Sequence, residues 1–152
     1  MANGISYLTS NEKEIAIIIG YKQSAISYIQ RMEKKELGRK GEEIALRFLK
    51  KKGYRVIETN YVCKMGEMDI IAKEKDTLVF IEVKARTSTE FGPPQLAVNS
   101  SKQRQLSKVA WNFLKEKRIE DMKARFDVVA ILLGPKGEEI ELIKDAFDSK
   151  WT

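Results

Sequence analysis

The sequence predicts an α/β fold in which helices pack on both faces of a mixed β-sheet. Two segments repeat apolar residues at intervals of three and four, as amphipathic helices do, and several others are rich in the β-branched and aromatic residues typical of strands. A chain of 152 residues that is 43% hydrophobic is large and apolar enough to bury a core. The predicted elements, in order, are a helix over residues 38–52, strands over 54–61, 68–73 and 77–84, a helix from 100 or 101 to about 117, and a strand over 126–133. Residues 139–143 could form one more strand beside the last, so the helix is followed by one or two strands.

Residues 1–36 look like an extension that precedes a domain over residues 37–152. Asn11 followed three residues later by Glu14 can begin a helix, so we expect the extension to be partly helical. The isoleucine-rich run at residues 15–19 equally suits a strand, because β-branched side chains favour extended backbone. Helix and strand therefore both stay open for this run.

The first helix of the domain is predicted from Ala45, Leu46 and Leu49, which recur at helical spacing. It should end at Gly53, because glycine readily adopts the left-handed conformation that terminates helices. The three strands that follow are rich in valine, isoleucine, tyrosine and phenylalanine. The charged segment Glu74-Lys75-Asp76 suits a tight turn between the second and third strands, which predicts a hairpin.

A loop containing Gly92-Pro93-Pro94 separates this hairpin from the second helix, for which Ser100 or Ser101 is the predicted cap. The apolar positions of that helix are Leu106, Val109, Ala110, Phe113 and Leu114. Residues 126–133 form a continuous apolar run, as in a strand that is buried on both faces. The helix between the third and fourth strands is therefore a natural crossover.

Composition excludes several classes of protein. The sequence has no histidine, which excludes histidine metal sites, catalytic triads and histidine bases. Its one cysteine, Cys63, cannot form an internal disulfide, so we expect a protein of the reducing cytoplasm. No apolar run is long enough to span a bilayer, so no membrane partner is expected. The net charge of +6 favours an anionic partner such as nucleic acid, although a solvated basic surface explains it about equally well.

Two acidic residues should face each other across the hairpin. If Lys75 and Asp76 form a two-residue turn, counting back along both strands pairs Asp69 with Glu82. Residues that oppose each other in this way point to one face of a sheet, and like charges there repel. The third strand is apolar enough to be central, where unpaired charges cost several kcal/mol. The pair therefore requires a positive partner.

Lys84 and Glu42 can join this pair. Lys84 lies two residues beyond Glu82 and so shares its face of the strand. Glu42 precedes the apolar positions of the first helix by three, four and seven residues, which places it on the buried face. Gly38 and Gly41 beside it would let the helix approach the sheet closely.

Carboxylates on one face predict a Mg²⁺ or Mn²⁺ site, since hard cations prefer oxygen ligands. The predicted ligands are Asp69, Glu82, Glu42 and the backbone carbonyl of Val83. Such an ion suits phosphoryl chemistry, in which Lys84 could orient water or neutralise the transition state. The alternative is that the acids and Lys84 form only an internal salt bridge.

Basic residues near this site fit a role in binding phosphates. Arg86 follows Lys84, and Lys102 and Arg104 lie in the first turn of the second helix, whose N-terminus also attracts anions. Gln103 beside them could contact the site. Each basic residue taken alone is explained as well by ordinary surface exposure.

The motifs together resemble those of a known superfamily. Asp69, then Glu82-Val83-Lys84 on the next strand, with Glu42 on a preceding helix, resemble the PD-(D/E)XK nucleases and their restriction-endonuclease-like fold. The segments GRKGEEIA at residues 38–45, Asn60-Tyr61, GEMDII at 66–71 and FIEVKAR at 80–86 resemble more closely the YraN-like bacterial family, described as endonuclease-like. The resemblance covers residues 38–147, and Met68 stands where the superfamily pattern has proline.

The resemblance implies that Asp69 and Glu82 bind metal, that Lys84 assists catalysis and that Glu42 completes the site. We therefore expect a Mg²⁺-dependent nuclease, acting as monomer or homodimer on nucleic acid, with DNA expected and RNA left open. The alternative function is a protein that keeps the nuclease fold and binds branched or single-stranded nucleic acid without cutting it. A scaffold whose charged cluster is purely structural is the third possibility.

Overall fold

The computed structural model describes residues 10–87 and 98–150, which form two helices and five strands. These elements are α1 (Ser10–Lys51), β1 (Arg55–Cys63), β2 (Gly66–Glu74), β3 (Thr77–Arg86), α2 (Ser100–Glu116), β4 (Lys123–Gly134) and β5 (Gly137–Phe147). The predicted order of elements is confirmed, with strands a few residues longer than predicted. The predicted start of the first helix at residue 38 is wrong, because α1 is one continuous helix from Ser10. The Gly92-Pro93-Pro94 loop lies outside the described residues.

The chain divides into two compact units, Met1–Glu36 and Leu37–Thr152. In the first unit the described residues are helical from Ser10 onward, so the isoleucine run is helix and the strand alternative is wrong. Its large apolar side chains, such as Ile15, Ile19 and Ile29, are about half exposed. Neither α1 nor α2 has the length and apolar character that crossing a membrane requires.

The second unit is built on a five-stranded sheet in the order β1-β2-β3-β4-β5. The β3 and β4 strands are parallel, whereas every other neighbouring pair is antiparallel. Parallel neighbours need a long crossover, and α2 supplies it, as the sequence predicts. The sheet is therefore mixed.

Alternate residues of the central strand β3 point to opposite faces of the sheet and enter two separate cores. One core joins β3 to α2 and contains Leu78, Phe80, Leu106, Val109, Phe113 and Phe126. The other joins β3 to the C-terminal part of α1 and contains Val79, Ile81, Ile44, Ala45, Leu49 and Val129. Helices thus cover both faces of the sheet, which confirms the predicted fold class.

The ends of the helices follow local chemistry. Gly53 stands just beyond α1 at φ +89°, where the Tyr54 N–H donates to the Leu49 carbonyl at 3.0 Å, as predicted for a glycine stop. The predicted cap of α2 is wrong. Asn99 caps this helix, since its backbone is extended and its side chain accepts the Lys102 N–H at 2.9 Å. Ser100 and Ser101 already lie inside the first turn.

Only one of the two glycines before Glu42 brings α1 close to the sheet. A Cβ on Gly41 would lie 2.6 Å from the Cβ of Ala85 on β3, closer than two such atoms can stand. A Cβ on Gly38 would meet no other group of the described residues within 4 Å. The predicted close approach is therefore confirmed at Gly41 and wrong at Gly38.

This difference predicts opposite effects of the same substitution. Gly38→Ala should raise the free energy of unfolding by up to about 1 kcal/mol, because alanine favours helix. Gly41→Ala gains the same propensity but must displace Ala85, so it should be less stable than Gly38→Ala by about 1–3 kcal/mol. Urea unfolding of both variants measures the difference, and equal stabilities would contradict the close packing of α1 on β3.

Candidate active site

The predicted hairpin register is confirmed as far as Ile70 and Ile81, and the predicted pair of Asp69 with Glu82 lies beyond the last regular pair. Paired residues run from Glu74 with Thr77 to Ile70 with Ile81. Asp69 and Glu82 follow immediately. Here the backbone N–H of Val83 donates to Oδ2 of Asp69 at 2.7 Å. The Asp69 side chain therefore accepts a hydrogen bond from the backbone of β3 just beyond the last regular pair of β2 and β3.

Glu82 is the most buried acid of this group, with only 4% of its surface exposed. Its Oε1 atom lies 2.9 Å from Nζ of Lys84 and 3.3 Å from Nζ of Lys102. Its Oε2 atom is buried and has no hydrogen-bond partner among the described residues. A buried oxygen without a hydrogen-bond partner destabilises the fold by about 1–3 kcal/mol, and by more when it carries charge.

Burial, and after it the neighbouring charge of Glu82, raise the pKa of Asp69 to about 7. The hydrogen bond from Val83 and the charge of Lys102 oppose this increase without cancelling it. Two carboxylates that share a poorly solvated site cannot both ionise without cost. The pair therefore favours any additional positive charge placed beside it.

Glu42 reaches the same region from α1 through the close packing of Gly41 against Ala85. Its side chain is partly buried. Burial raises the pKa of Glu42, the charges of Glu67 and Glu82 raise it further, and a hydrogen bond with Asn60 lowers it. Three acidic side chains from α1, β2 and β3 thus act on one another electrostatically.

These acids are not arranged as a closed set of ligands. Within residues 10–87 and 98–150, no group of three or more aspartate, glutamate, cysteine or histidine side chains is arranged to hold a metal ion. Lysines instead balance the charge of Glu82, with Lys84 coming from the same strand and Lys102 from the first turn of α2. The contact between Lys102 and Glu82 was not predicted, since it depends on where the crossover returns α2 to the sheet.

The other predicted nucleic-acid contacts lie around this centre. Arg104 is exposed on α2, and Arg86 is partly buried near the end of β3. Nε2 of Gln103 donates to the backbone carbonyl of Val98 at 3.0 Å, so this side chain secures the residues before α2. Among the residues predicted as nucleic-acid contacts, Lys102 is brought to Glu82.

A second acidic centre in the sheet was missed by the sequence interpretation. Asp127 is fully buried within the apolar run of β4. Its carboxylate accepts hydrogen bonds from the Tyr54 hydroxyl at 3.0 Å, from Nε of Arg125 at 2.9 Å and from the backbone N–H of Asp145 at 3.0 Å. Arg125 also donates to Glu74 at 2.7 Å. Both carboxylate oxygens of Asp127 have hydrogen-bond partners, so a structural role is enough to explain this centre.

The two buried carboxylates differ in one respect that bears on function. Asp127 has a hydrogen bond on each oxygen. Glu82 has two cations on one oxygen and, within the described part of the chain, no partner on the other. A buried carboxylate oxygen without a partner, next to an acid whose pKa is raised as that of Asp69 is, is typical of functional sites.

Comparison with known proteins gives a consistent family match. The family model described as "Uncharacterised protein family UPF0102" matches residues 41–131, a span that includes Glu42, Asp69, Glu82, Lys84 and Lys102. A UPF0102 protein of Syntrophus aciditrophicus is 52% identical over 111 residues, covering 73% of this chain and 87% of the relative. UPF0102 proteins of Geotalea daltonii and Caldicellulosiruptor saccharolyticus are 54% and 49% identical, each over 76% of this chain and over 92% and 100% of their own lengths.

The structural centre predicts a specific dependence of stability on pH. A hydrogen bond from Lys144 and another from Arg125 hold the pKa of Glu74 below its ordinary value of 4.5. Ionised Glu74 therefore stabilises the fold above that value, and the contribution is lost as the pH falls through the lowered pKa of the folded state. Between about pH 6 and about pH 3, wild type should lose more free energy of unfolding than Glu74→Gln. Urea unfolding at several pH values measures this, Lys144→Gln should reduce the difference, and parallel pH profiles would contradict it.

Proposed function

We propose that this chain, which belongs to the uncharacterised protein family UPF0102, is a nuclease that requires Mg²⁺ or Mn²⁺ and hydrolyses phosphodiester bonds of nucleic acid. UPF0102 is the YraN-like family that the sequence motifs predicted, so that family assignment is confirmed. The observation that carries the proposal is the buried Oε2 atom of Glu82, beside Asp69 and without a partner among the described residues.

The chemistry of the oxygen donors at this site suits a hard divalent cation. The unpartnered carboxylate oxygen, the neighbouring acid Asp69 and the partly buried Glu42 are the donors that Mg²⁺ prefers. We propose that Asp69 and Glu82 hold the ion, with Glu42 and the backbone carbonyl of Val83 as further ligands. Bound there, the ion would lower the pKa of a water and neutralise charge on a phosphate.

Lys84 and Lys102 are the cations of the site itself. Both contact Oε1 of Glu82, so the Glu82 carboxylate holds two amines close to its own charge. A phosphate approaching the site would meet these amines, which can neutralise the charge that develops in the transition state. Lys84 is the proposed catalytic lysine because it lies on the same strand as Glu82. Glu82 thereby positions Lys84 as well as contributing a ligand.

The arrangement of these residues supports membership of the PD-(D/E)XK nucleases as part of the proposal. Asp69 and the Glu82-Val83-Lys84 segment lie on neighbouring antiparallel strands, and Glu42 lies on the preceding helix. The mixed sheet with helices on both faces is consistent with the restriction-endonuclease-like fold. The net charge of +6 suits a polyanionic substrate, for which we propose DNA, with RNA open to test.

A second candidate function is binding of nucleic acid without hydrolysis. The observation that favours it is the pair of lysines on Glu82, which balances the acid without any metal ion. In that case Lys84 and Lys102 would serve as phosphate contacts alone. Metal dependence separates the two candidates.

The nuclease proposal predicts cleavage that depends on a divalent ion. With Mg²⁺ or Mn²⁺, purified protein should cut at least one member of a panel of single-stranded, duplex, branched and flapped DNA and RNA. Glu82→Gln and Lys84→Met should each reduce the rate by about 100-fold or more, because each removes a group that stabilises the transition state. Glu74→Gln, which changes a carboxylate of the structural centre on the same hairpin, should retain the rate. A panel left uncut with both ions, or full activity in both site variants, would overturn the proposal.

Direct metal binding distinguishes the nuclease from the pure binder. Titration with Mn²⁺, followed by loss of the free-ion electron paramagnetic resonance signal, should show one site in wild type. Asp69→Asn and Glu82→Gln should weaken that site by about tenfold or more, whereas Glu74→Gln should leave it unchanged. Equal Mn²⁺ affinity in all four proteins, together with intact nucleic-acid binding, would favour the binder.

A further inference from the structure

The outer face of α2 carries a narrow stripe of basic residues with a tryptophan inside it. Arg104, Lys108, Trp111 and Lys115 are all exposed and follow one another at intervals of four, three and four residues. On an α-helix these positions fall within an arc of about 60° and extend over about 16 Å. Their arc lies opposite the buried positions of α2, which are Leu106, Val109, Ala110 and Phe113. We call these four exposed residues the α2 stripe.

The charge of α2 is strongly one-sided. The helix contains four basic residues and one acid, Glu116, whose carboxylate accepts a hydrogen bond from Tyr61 at 2.8 Å. Three of the basic residues belong to the α2 stripe, and the fourth is Lys102 at the candidate active site. A positive surface of this kind is complementary to a phosphate backbone.

Trp111 distinguishes the stripe from an ordinary solvated face. This side chain is 57% exposed, although tryptophan is among the residues that gain most from burial. Lys108 and Lys115 stand on either side of it along the helix. Basic residues that flank an exposed aromatic ring are the elements with which proteins bind single-stranded nucleic acid, because the ring stacks on bases while the cations contact phosphates.

The β1–β2 hairpin lies close both to α2, near the α2 stripe, and to the acids of the candidate site. A Cβ on Gly66, at the tip of that hairpin, would lie 2.6 Å from Nε2 of Gln105, which neighbours the stripe on α2. The next residue, Glu67, is near enough to Glu42 for its charge to act on that side chain. Lys102 in the first turn of α2 contacts Glu82, and Arg104 is the residue of the stripe closest to it in the helix, so a nucleic-acid strand that leaves the site along α2 meets Arg104 first.

We propose that the α2 stripe binds an unpaired segment of the nucleic acid that flanks the site of cleavage, with one base stacked on Trp111 and phosphates on Arg104, Lys108 and Lys115. This inference rests on the proposed function and deepens it, because it names single-stranded or flapped nucleic acid as the preferred substrate. Duplex would reach the same lysines, but its bases are already stacked on one another. The contribution of Trp111 should therefore be specific to unpaired strands.

The test is a binding measurement in EDTA, so that no cleavage occurs. The second tryptophan of the chain, Trp151, is replaced by phenylalanine in every protein used, which makes Trp111 the only indole. Addition of a thymidine oligonucleotide should quench the Trp111 fluorescence, and addition of the same length of duplex should not. Trp111→Ala should weaken binding of the single strand, measured by anisotropy of a labelled oligonucleotide, by about 5- to 100-fold, and Trp111→Phe should restore most of it.

A matched pair of charge variants tests the basic residues. Lys108→Glu with Lys115→Glu changes the net charge by as much as Lys123→Glu with Lys136→Glu, two exposed lysines of which the first begins β4 and the second lies in the turn between β4 and β5. The first pair should weaken single-strand binding at least tenfold more than the second. Equal effects of the two pairs, or unchanged binding in Trp111→Ala, would overturn the inference. Because no metal is present, either result leaves the Mn²⁺ titration free to support or contradict the nuclease independently.

Discussion

Two carboxylates held side by side are the constraint on which this structure depends. Asp69 and Glu82 stand just past the last regular pair of β2 and β3, where the Asp69 side chain accepts the N–H of Val83. Mutual repulsion and loss of water make this arrangement costly for two anions. The fold tolerates the cost by bringing amines to Glu82, and one oxygen of that carboxylate still has no partner in the described part of the protein.

The two helices pack on opposite faces of the sheet, and each brings one charged side chain to this pair. The first approaches β3 closely because Gly41 lacks a side chain, and it thereby carries Glu42 toward the acids. The second begins near the end of β3, so that Lys102 in its first turn contacts Glu82. Both contacts depend on the mixed topology, since the parallel pairing of β3 with β4 requires a helical crossover. The site is thus a product of the whole sheet.

Local patterns were enough to predict the hairpin and its register, because strand alternation and a two-residue turn leave little freedom. They also predicted both domain helices and the buried fourth strand. They did not reveal Asp127, because its apolar neighbours concealed it and its partners Tyr54 and Asp145 come from other parts of the chain. Lys102 was predicted as a phosphate contact, but its bond to Glu82 depends on a long connection whose path no local pattern encodes.

The proposed activity requires that Asp69 and Glu82 bind a divalent cation. Crystals soaked in Mn²⁺ should give an anomalous-scattering peak within bonding distance of carboxylate oxygens of both Asp69 and Glu82. In the same map Lys84 should remain beside Glu82. A map without a peak at these carboxylates, with both lysines still on Glu82 at saturating Mn²⁺, would contradict the central claim and leave the cluster as an internal salt bridge.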